Sequence, residues 1–181
     1  TKNLYEDVSE LLSNNNLIGW FQDRSEFGQR ALGNRSILAD PRRSNIKDIV
    51  NKSIKYRENF RPFAPAILDS YLDEYFEISS DEKDFYVMEK TKNFRISVID
   101  KVKGVVHKDG TGRVQTVSKK SNLKFYKLLQ SFKKKTGVPL LLNTSFNLNG
   151  EPIVDSPEDA IRTFYSCGLD CLVLGNFIVM K

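Results

Sequence analysis

The sequence predicts one α/β domain built around an open mixed sheet with flanking helices. The chain has 181 residues and 40% hydrophobic content, which is enough to form one core. Short apolar runs typical of strands alternate with amphipathic segments at helical spacing. No repeat or low-complexity segment divides the chain, so we expect a single domain over residues 1–181.

The first half of the chain predicts its elements from apolar spacing and from turn residues. In chain order these are a helix over 5–12, a strand over 17–21, a loop over 22–34, a strand over 35–39, a helix over 45–53, a strand over 66–68 and a short helix over 71–76. Ser44 is a plausible N-cap for the second helix. Pro62 and Pro65 restrict their own and the preceding φ angles, which predicts a rigid, extended connector over 60–65.

The second half predicts strands over 85–89, 94–99, 113–117, 138–142, 171–174 and 177–180, and helices over 122–136 and 157–167. The helix over 122–136 has the clearest apolar face, and Gly137 is expected to end it. Ser156 followed by Pro157 has the pattern of an N-cap with proline at the first helical position.

Charge and cysteine content limit the classes of partner. Lys and Arg outnumber Asp and Glu by 28 to 23, so an anionic partner or substrate is expected, and the excess is concentrated between residues 24 and 61. No apolar run approaches the roughly 18 to 20 residues that cross a bilayer, so we expect a soluble protein with no membrane partner. Cys167 and Cys171 are interpreted as core thiols of a protein in the reducing cytoplasm.

Two basic segments are candidate anion sites. The glycine-containing loop over 22–34 and the residue that follows it supply Arg24, Arg30 and Arg35. A guanidinium group can bind two oxygens of a phosphate or carboxylate at once. Arginines in a solvent-exposed loop can also serve solubility alone. Lys55, Arg57 and Arg61 follow the second predicted helix, and in an extended segment Lys55 and Arg57 would face the same side. A charged face on a surface strand would show the same pattern.

Two polar segments are further candidates. His107 is the single histidine and lies in a glycine-rich loop with Thr111 and Arg113, where it could contact a nucleotide or phosphate or serve only a structural role. Asn143, Ser145 and Asn147 follow the apolar run 138–142. Such residues are also common in turns, so this segment alone is weak evidence.

Together these segments resemble the C-terminal domain of the NodU/TobZ/CmcH carbamoyltransferases. Residues 24–42 match the pattern R-x-E-F-G-x-R-A-L-G-N-R-S-I-L-A-D-P-R, and residues 55–65 match K-x-R-E-x-F-R-P-F-A-P. Residues 107–117 match H-x-D-G-T-x-R-x-Q-T-V, and residues 143–154 contain N-T-S-F-N and G-E-P-I-V. The resemblance covers the chain from about residue 17 to its end. Two departures, Asp23 where the family tends to have glycine and Gln29 where it tends to have proline, alter the first loop.

The resemblance implies a YrdC-like domain with an open twisted sheet and a concave basic cavity. It also implies that carbamoyl phosphate and ATP react to give carbamoyl-AMP, and that a tandem metal-dependent domain, absent from this chain, passes the carbamoyl group to a hydroxyl acceptor. In that family a Lys-x-Arg pair and a Ser-x-Asn pair converge on the substrates, here Lys55 with Arg57 and Ser145 with Asn147. Mg²⁺ is expected to arrive with ATP, since no protein metal site is predicted.

The expected roles of the candidate residues follow from this resemblance. We expect carbamoyl phosphate to be bound by Arg30, Lys55 and Arg61, with Lys55 and Arg30 as the catalytic cations. Substrate binding is assigned to Arg57, Arg61, Ser145, Asn147, Asn143 and Arg35, and nucleotide binding to His107, Arg113 and Thr111. Two alternatives stay open: a basic RNA-binding module of the same fold, and an enzyme that makes threonylcarbamoyl-AMP.

Overall fold

The structure, a computed structural model, describes residues 1–79, 81–82 and 84–181. Its α-helices are α1 (Leu4–Ser13), α2 (Ile46–Val50), α3 (Leu72–Tyr75), α4 (Ile96–Ile99), α5 (Leu123–Thr136) and α6 (Pro157–Tyr165). Its strands are β1 (Ile18–Phe21), β2 (Arg35–Ala39), β3 (Ala64–Leu68), β4 (Thr91–Asn93), β5 (Thr111–Arg113), β6 (Gln115–Val117), β7 (Leu140–Ser145), β8 (Cys171–Leu174) and β9 (Phe177–Met180). A π-helical turn, Asn51–Lys55, continues α2, and 3₁₀ turns span Asp69–Tyr71 and Lys103–Val105.

Within the described residues, seven strands form a mixed sheet in the order β6-β3-β7-β2-β1-β8-β9, and β4 pairs with β5 as a separate ribbon. The pairs β1 with β8 and β3 with β6 are parallel, and the remaining neighbours in the large sheet are antiparallel. The mixed α/β fold predicted from the sequence is confirmed.

Strand direction brings distant segments to one end of this sheet. Because β2, β3 and β6 run opposite to β7, their first residues lie beside the last residues of β7. The register places Ser36 opposite Ser145, Ala64 opposite Asn143, and Ala66 opposite Gln115. The segments that precede β2, β3 and β6 therefore meet the segment that follows β7.

Helix α5 packs its apolar face against α1, β3 and β7. Phe125, Leu128, Leu129 and Phe132 are buried at the spacing of one helical face. At its start the Asn122 side chain accepts a hydrogen bond from the Phe125 amide, and at its end Gly137 has a φ of 76°. The predicted helix over 122–136 and its glycine stop are confirmed.

Several further elements have the predicted bounds. Strands β2, β8 and β9 coincide with the predicted strands over 35–39, 171–174 and 177–180. Helix α6 begins with the predicted Ser156 cap, which accepts from the Asp159 amide while the Asp159 carboxylate accepts from the Ser156 amide. Local signals at these positions agree with the packing that the complete chain adopts.

Four predicted elements differ from the structure, and one of them, the strand over 113–117, is divided between β5 in the ribbon and β6 in the large sheet. In the segment 94–99, Phe94 and Val98 are buried while Ile96 is 87% exposed. This spacing of buried residues fits a helix rather than a strand, and residues 96–99 form helix α4. The segment 85–89 forms no strand; Met88 has a φ of 55°, which interrupts extended backbone. Strand β7 continues to Ser145, so part of the loop predicted after residue 142 is strand.

Gly33 is expected to be required for the contact between α5 and the loop over 22–34, which we call the arginine loop. It has a φ of 113°, and a Cβ there would lie 2.3 Å from Cδ1 of the buried Phe125. Gly28 has a φ of 114° with nothing within 4 Å of the corresponding Cβ position. We expect Gly28→Ala to lower the free energy of unfolding by about 1 kcal/mol through backbone strain alone. Gly33→Ala should lower it by about 2 kcal/mol more, because the clash with Phe125 is added.

Urea denaturation of the two variants measures this difference. Equal losses for Gly28→Ala and Gly33→Ala would contradict the close approach of the loop to Phe125.

Candidate functional site

A cavity of about 370 Å³ lies where the four segments meet, and we call it the arginine cavity. The predicted residues that line it are Arg30, Arg57, Arg61, His107, Arg113, Asn143 and Ser145. None of its described lining residues is acidic. The topology thus brings seven of the candidate residues predicted from the sequence to one cationic cavity. These residues come from segments up to 115 positions apart in the chain.

Two of these arginines are half-buried and face other positive charges. Burial lowers the pKa of Arg113, and repulsion from Arg30 and then Arg57 lowers it further. The Arg113 Nε atom is buried and has no hydrogen-bond partner among the described residues. Burial is also the main cause of the lowered pKa of Arg57, followed by repulsion from Arg61. Guanidinium groups stay charged at neutral pH, so an anion in this cavity would relieve their repulsion.

Arg57 is held in place from two sides. Its Nε donates to Oδ1 of Asn51 over 2.7 Å, and its guanidinium carbon lies 4.9 Å from the centre of the Phe63 ring. Asn51 is fully buried, and its Nδ2 donates to the backbone oxygen of Arg61 over 3.1 Å. Asn51 therefore anchors both ends of the segment from Arg57 to Arg61.

The predicted extended geometry between Lys55 and Arg57 is wrong. Lys55 is the last residue of a π-helical turn, and Tyr56 follows with a left-handed φ of 44°. A π-helical turn adds a residue to the helical repeat, so it re-aims the side chains at its end. Lys55 consequently points into the sheet and is 4% exposed, while Arg57 lines the cavity.

Lys55 joins the two predicted residue pairs. Its Nζ donates to the backbone oxygen of Ser145 and to Oδ1 of Asn147, each over 2.6 Å. The Asn147 backbone oxygen and the Ser145 Oγ lie 3.0 and 3.3 Å from the same atom. Ser145 Oγ also donates to Asn147 Oδ1 over 2.7 Å. Lys55 therefore fixes the end of β7 from behind, and Asn147 lies beside the arginine cavity rather than among its lining residues.

The charge of Lys55 depends on opposing effects. Burial, followed by repulsion from Arg57, lowers the pKa of Lys55 to about 7. The four oxygen atoms around Nζ favour the ammonium form, which can donate three hydrogen bonds and accepts none. An anion bound nearby would raise this pKa and keep Lys55 positively charged.

His107 lines the cavity, and Thr111 orients it. The His107 Nδ1 lies 3.0 Å from the Thr111 hydroxyl, which donates its single proton to the Asp109 carboxylate over 2.8 Å. The imidazole must then donate through Nδ1, which leaves the Nε2 lone pair free to accept a hydrogen bond. Burial is the main cause of the lowered pKa of His107, so the neutral ring is favoured at pH 7.

Asn143 lines the cavity and has a buried acceptor without a partner. Its Nδ2 donates to the Ala31 backbone oxygen over 3.1 Å and to Oε1 of Gln115 over 2.8 Å. Gln115 in turn donates to the Leu32 backbone oxygen over 2.7 Å. The Asn143 Oδ1 atom is buried without a hydrogen-bond partner among the described residues. A ligand with an N–H or O–H donor would satisfy it.

Arg35 does not line the arginine cavity. Its guanidinium donates to the backbone oxygens of Gln22 over 2.6 Å, Asn34 over 3.0 Å, Asp23 over 3.1 Å and Asp155 over 3.3 Å. It also stacks on the Phe21 ring at 3.5 Å from the ring centre. With both terminal nitrogens engaged by carbonyl groups, Arg35 closes the base of the arginine loop, although its buried Nε has no hydrogen-bond partner among the described residues. Its predicted contact with a substrate has no counterpart in the cavity wall.

The two departures in the first loop have distinct surroundings. Asp23 has a φ of 42°, a conformation in which glycine carries no strain, and its carboxylate accepts from Lys124 Nζ over 2.6 Å. Gln29 lines the arginine cavity next to Arg30. Asp23 therefore adopts a left-handed backbone conformation that glycine adopts more readily, and Gln29 places a neutral amide at the cavity wall.

Sequence reasoning missed residues that the cavity uses. Met88, Thr91 and Thr144 line it, and Asn51 and Gln115 support lining residues from behind. Asn51 had a usable signal, since it is a polar residue on the apolar face of the helical segment that begins with α2. Met88 and Thr91 had none, because Met88 belonged to a predicted strand that does not form and Thr91 lay outside every predicted element.

The described residues contain no group of three or more His, Cys, Asp or Glu side chains placed to hold a metal ion. Cys167 and Cys171 are both buried and free of disulfide bonds. No helix in the described ranges is both long enough and apolar enough to span a membrane.

Comparison with known proteins gives a consistent set of relatives. The chain is 48% identical over 174 residues to the nodulation protein NolNO of Sinorhizobium fredii, which covers 96% of this chain and 26% of that protein. It is 35% identical over 172 residues to the 3'-hydroxymethylcephem-O-carbamoyltransferase of Amycolatopsis lactamdurans, covering 95% of this chain and 32% of that one. The chain thus spans about a quarter to a third of the length of these relatives.

A solved structure shares the fold. Full-length HypF in its phosphate- and nucleotide-bound form matches with a TM-score of 0.68 and 15% identity, over 96% of this chain and 25% of HypF. The fold is accordingly YrdC-like. The family model described as "Carbamoyltransferase C-terminus" matches residues 9–181. With that match, the high coverage by NolNO and the arrangement of the four sequence motifs around one cavity, the chain belongs to the carbamoyltransferase C-terminus family.

Proposed function

We propose that this domain binds carbamoyl phosphate and ATP and forms carbamoyl-AMP, the first half-reaction of O-carbamoyl transfer to a hydroxyl acceptor. The family supports a carbamoyl substrate, and one relative is named as an O-carbamoyltransferase. HypF, which shares only the fold, is described as bound to phosphate and nucleotide. The single observation that carries the proposal is the arginine cavity itself.

The chemistry of the cavity wall suits both reactants. Carbamoyl phosphate and the triphosphate of ATP repel each other, so a site that joins them needs several fixed cations and no competing carboxylates. Arg30, Arg57 and Arg113 meet that requirement, and Arg61 adds a fourth cation that is paired with Glu58. The unpartnered Asn143 Oδ1 adds specificity, because the amino group of a carbamoyl moiety can donate to it whereas a fully ionised phosphate cannot.

The reaction balances in two steps. Water first cleaves the acyl phosphate bond of carbamoyl phosphate, which releases inorganic phosphate and leaves carbamate. A carbamate oxygen then forms a bond to the α-phosphorus of ATP as the bond from that phosphorus to the bridging oxygen breaks, and pyrophosphate leaves. Charge accumulates on phosphoryl oxygens in both steps, where preorganised guanidinium groups stabilise it without reorganisation.

Each residue of the arginine cavity has a role that follows from its position. Arg30 and Arg61 grip the phosphate of carbamoyl phosphate, although Arg61 must share its guanidinium with Glu58, which lies 3.0 Å from its Nε. Ser145 orients the carbamoyl group or the α-phosphate, and Lys55 holds Ser145 in place while adding positive charge behind it. Arg113 and His107 contact the nucleotide, with His107 accepting a hydrogen bond at Nε2.

Two partners lie outside this chain. Mg²⁺ arrives with ATP, where it neutralises phosphate charge. The remaining two thirds or more of the length of the relatives leaves room for a tandem metal-dependent domain that receives carbamoyl-AMP and passes the carbamoyl group to the acceptor.

Isotope exchange tests the proposal. The chain with ATP, Mg²⁺ and labelled pyrophosphate is expected to incorporate label into ATP only when carbamoyl phosphate is added, because pyrophosphate release is reversible while carbamoyl-AMP stays bound. Replacing the carbamoyl phosphate with threonine and bicarbonate should support no exchange, and exchange with that pair would favour the threonylcarbamoyl-AMP alternative.

A failure of exchange would contradict the adenylation step if it persisted when the chain is fused to the remaining segment of a relative such as NolNO. An affinity for RNA that exceeds the affinity for ATP and falls steeply with salt would instead favour the nucleic-acid-binding alternative.

A further inference from the structure

Asn51 is bonded to the segment over 56–61, which carries two arginines of the arginine cavity. It is the first residue of the π-helical turn and is fully buried, which is uncommon for asparagine. Its backbone oxygen accepts from the Tyr56 amide at the end of that turn. Its Nδ2 donates to the backbone oxygens of Arg61 over 3.1 Å and of Asn59 over 3.5 Å. Burial of a polar side chain in this way indicates that its hydrogen bonds, and not its packing alone, determine the residue at this position.

Arg57 is bonded to Asn51 at both ends. Its backbone amide donates to the Asn51 backbone oxygen over 3.2 Å, and its Nε donates to Asn51 Oδ1 over 2.7 Å. The Phe63 ring centre lies 4.9 Å from the guanidinium carbon. The terminal nitrogens Nη1 and Nη2 donate to no residue in the part of the chain that the structure describes. With Nε engaged, this pair of nitrogens is the edge of Arg57 that remains for two oxygens of a phosphate.

The amide of Asn51 suits this position better than a carboxylate would. A single amide supplies both an acceptor for Arg57 and a donor for the Arg61 backbone oxygen. A carboxylate would supply no donor, and it would place a negative charge against the Arg57 guanidinium. That charge would neutralise Arg57 and repel a phosphate from the arginine cavity. The neutral residue therefore orients the guanidinium and leaves its charge available to a ligand.

We propose that Asn51 is a positioning residue, which holds Arg57 so that Nη1 and Nη2 bind two oxygens of one phosphate group in the arginine cavity. The inference rests on the proposed function, because the phosphate groups are those of ATP, carbamoyl phosphate and released pyrophosphate. Asn51 is not among the described residues that line the cavity, so it acts through Arg57. Its contribution is to order in advance a long side chain whose loss of freedom would otherwise weaken binding.

Calorimetric titration of the 181-residue chain with pyrophosphate tests this role. Asn51→Asp keeps the size and the acceptor of Asn51 but adds a negative charge, and we expect it to weaken pyrophosphate binding about tenfold. Asn45→Asp is the matched control. Asn45 is exposed and its Oδ1 accepts from Arg43 Nε over 2.8 Å, but neither residue is among the described residues lining the arginine cavity. This control should keep its pyrophosphate affinity within about twofold of the unmodified chain.

A double-mutant cycle separates positioning from a general loss of structure. Asn51→Ala removes both side-chain bonds without adding charge, and we expect it to weaken pyrophosphate binding about fivefold. In an Arg57→Met background the same change should cost less than about twofold, because the side chain that Asn51 orients is gone. Circular dichroism checks that each variant is folded.

Equal losses from Asn51→Ala with and without Arg57 would overturn the positioning role and leave the proposed function standing. Unchanged pyrophosphate affinity in a folded Asn51→Ala protein would do the same. An unmodified chain that bound neither pyrophosphate nor ATP would overturn both.

Discussion

Replacing Lys55 with methionine is expected to lower carbamoyl-phosphate-dependent pyrophosphate exchange by about 10²- to 10³-fold, the range seen when one preorganised donor is removed from a charge-stabilising site. Methionine fills a similar volume but leaves the oxygen atoms of Ser145 and Asn147 without their shared donor. Ser145 would then lose its fixed position, and the cavity would lose a positive charge behind it. Initial exchange rates at saturating substrates measure the effect.

Lys52→Met is the matched control for Lys55→Met. Lys52 lies in the same π-helical turn but is exposed, so its replacement should change the exchange rate by less than about twofold. Circular dichroism must show that Lys55→Met remains folded. A folded Lys55→Met protein with the exchange rate of the unmodified chain would contradict the role assigned to Lys55.

Replacing Arg35 with methionine is expected to lower the free energy of unfolding by about 3 kcal/mol, because buried carbonyl groups lose a charged donor. Four backbone oxygens depend on this guanidinium, and they belong to both ends of the arginine loop and to the segment before α6. Arg35→Lys should recover little of the loss, since one ammonium group cannot reproduce a planar fork. Urea denaturation of both variants measures this change.

Arg24→Met serves as the comparison for Arg35→Met. Arg24 is an exposed arginine of the same loop, and its replacement should leave the free energy of unfolding within about 0.5 kcal/mol of the unmodified chain. If Arg35→Met instead kept full stability and lost affinity for carbamoyl phosphate, Arg35 would be a substrate-binding residue, as the family resemblance first implied.

Local sequence signals were sufficient to predict an element where its own residues carry the complete pattern of that element. Helix α5 has a complete apolar face and a glycine stop, and both were readable without the fold. The segment 94–99 misled the same reasoning, because six residues with apolar positions at both spacings fit a strand and a helix equally well. Burial of Phe94 and Val98 against the core decided between them.

The same limits apply to the site. Arg30 and Arg35 are the same residue type five positions apart in one motif, yet Arg30 lines the arginine cavity and Arg35 closes its loop. Nothing local distinguishes them, because the carbonyl groups that bind Arg35 include one from Asp155, 120 residues away. The support from Asn51 and Gln115 likewise depends on contacts between segments that only the folded sheet brings together.

By itself the sequence determined the α/β class, the excess of cations, most element positions and the motif residues from which the site is built. Only the tertiary structure decided which of those residues share the arginine cavity and that Lys55 lies behind Ser145 instead of beside Arg57. The reason is that the charge of a segment and the spacing of its apolar residues are set by residues close together in the chain. Strand order, register and burial arise from contacts between residues far apart in it.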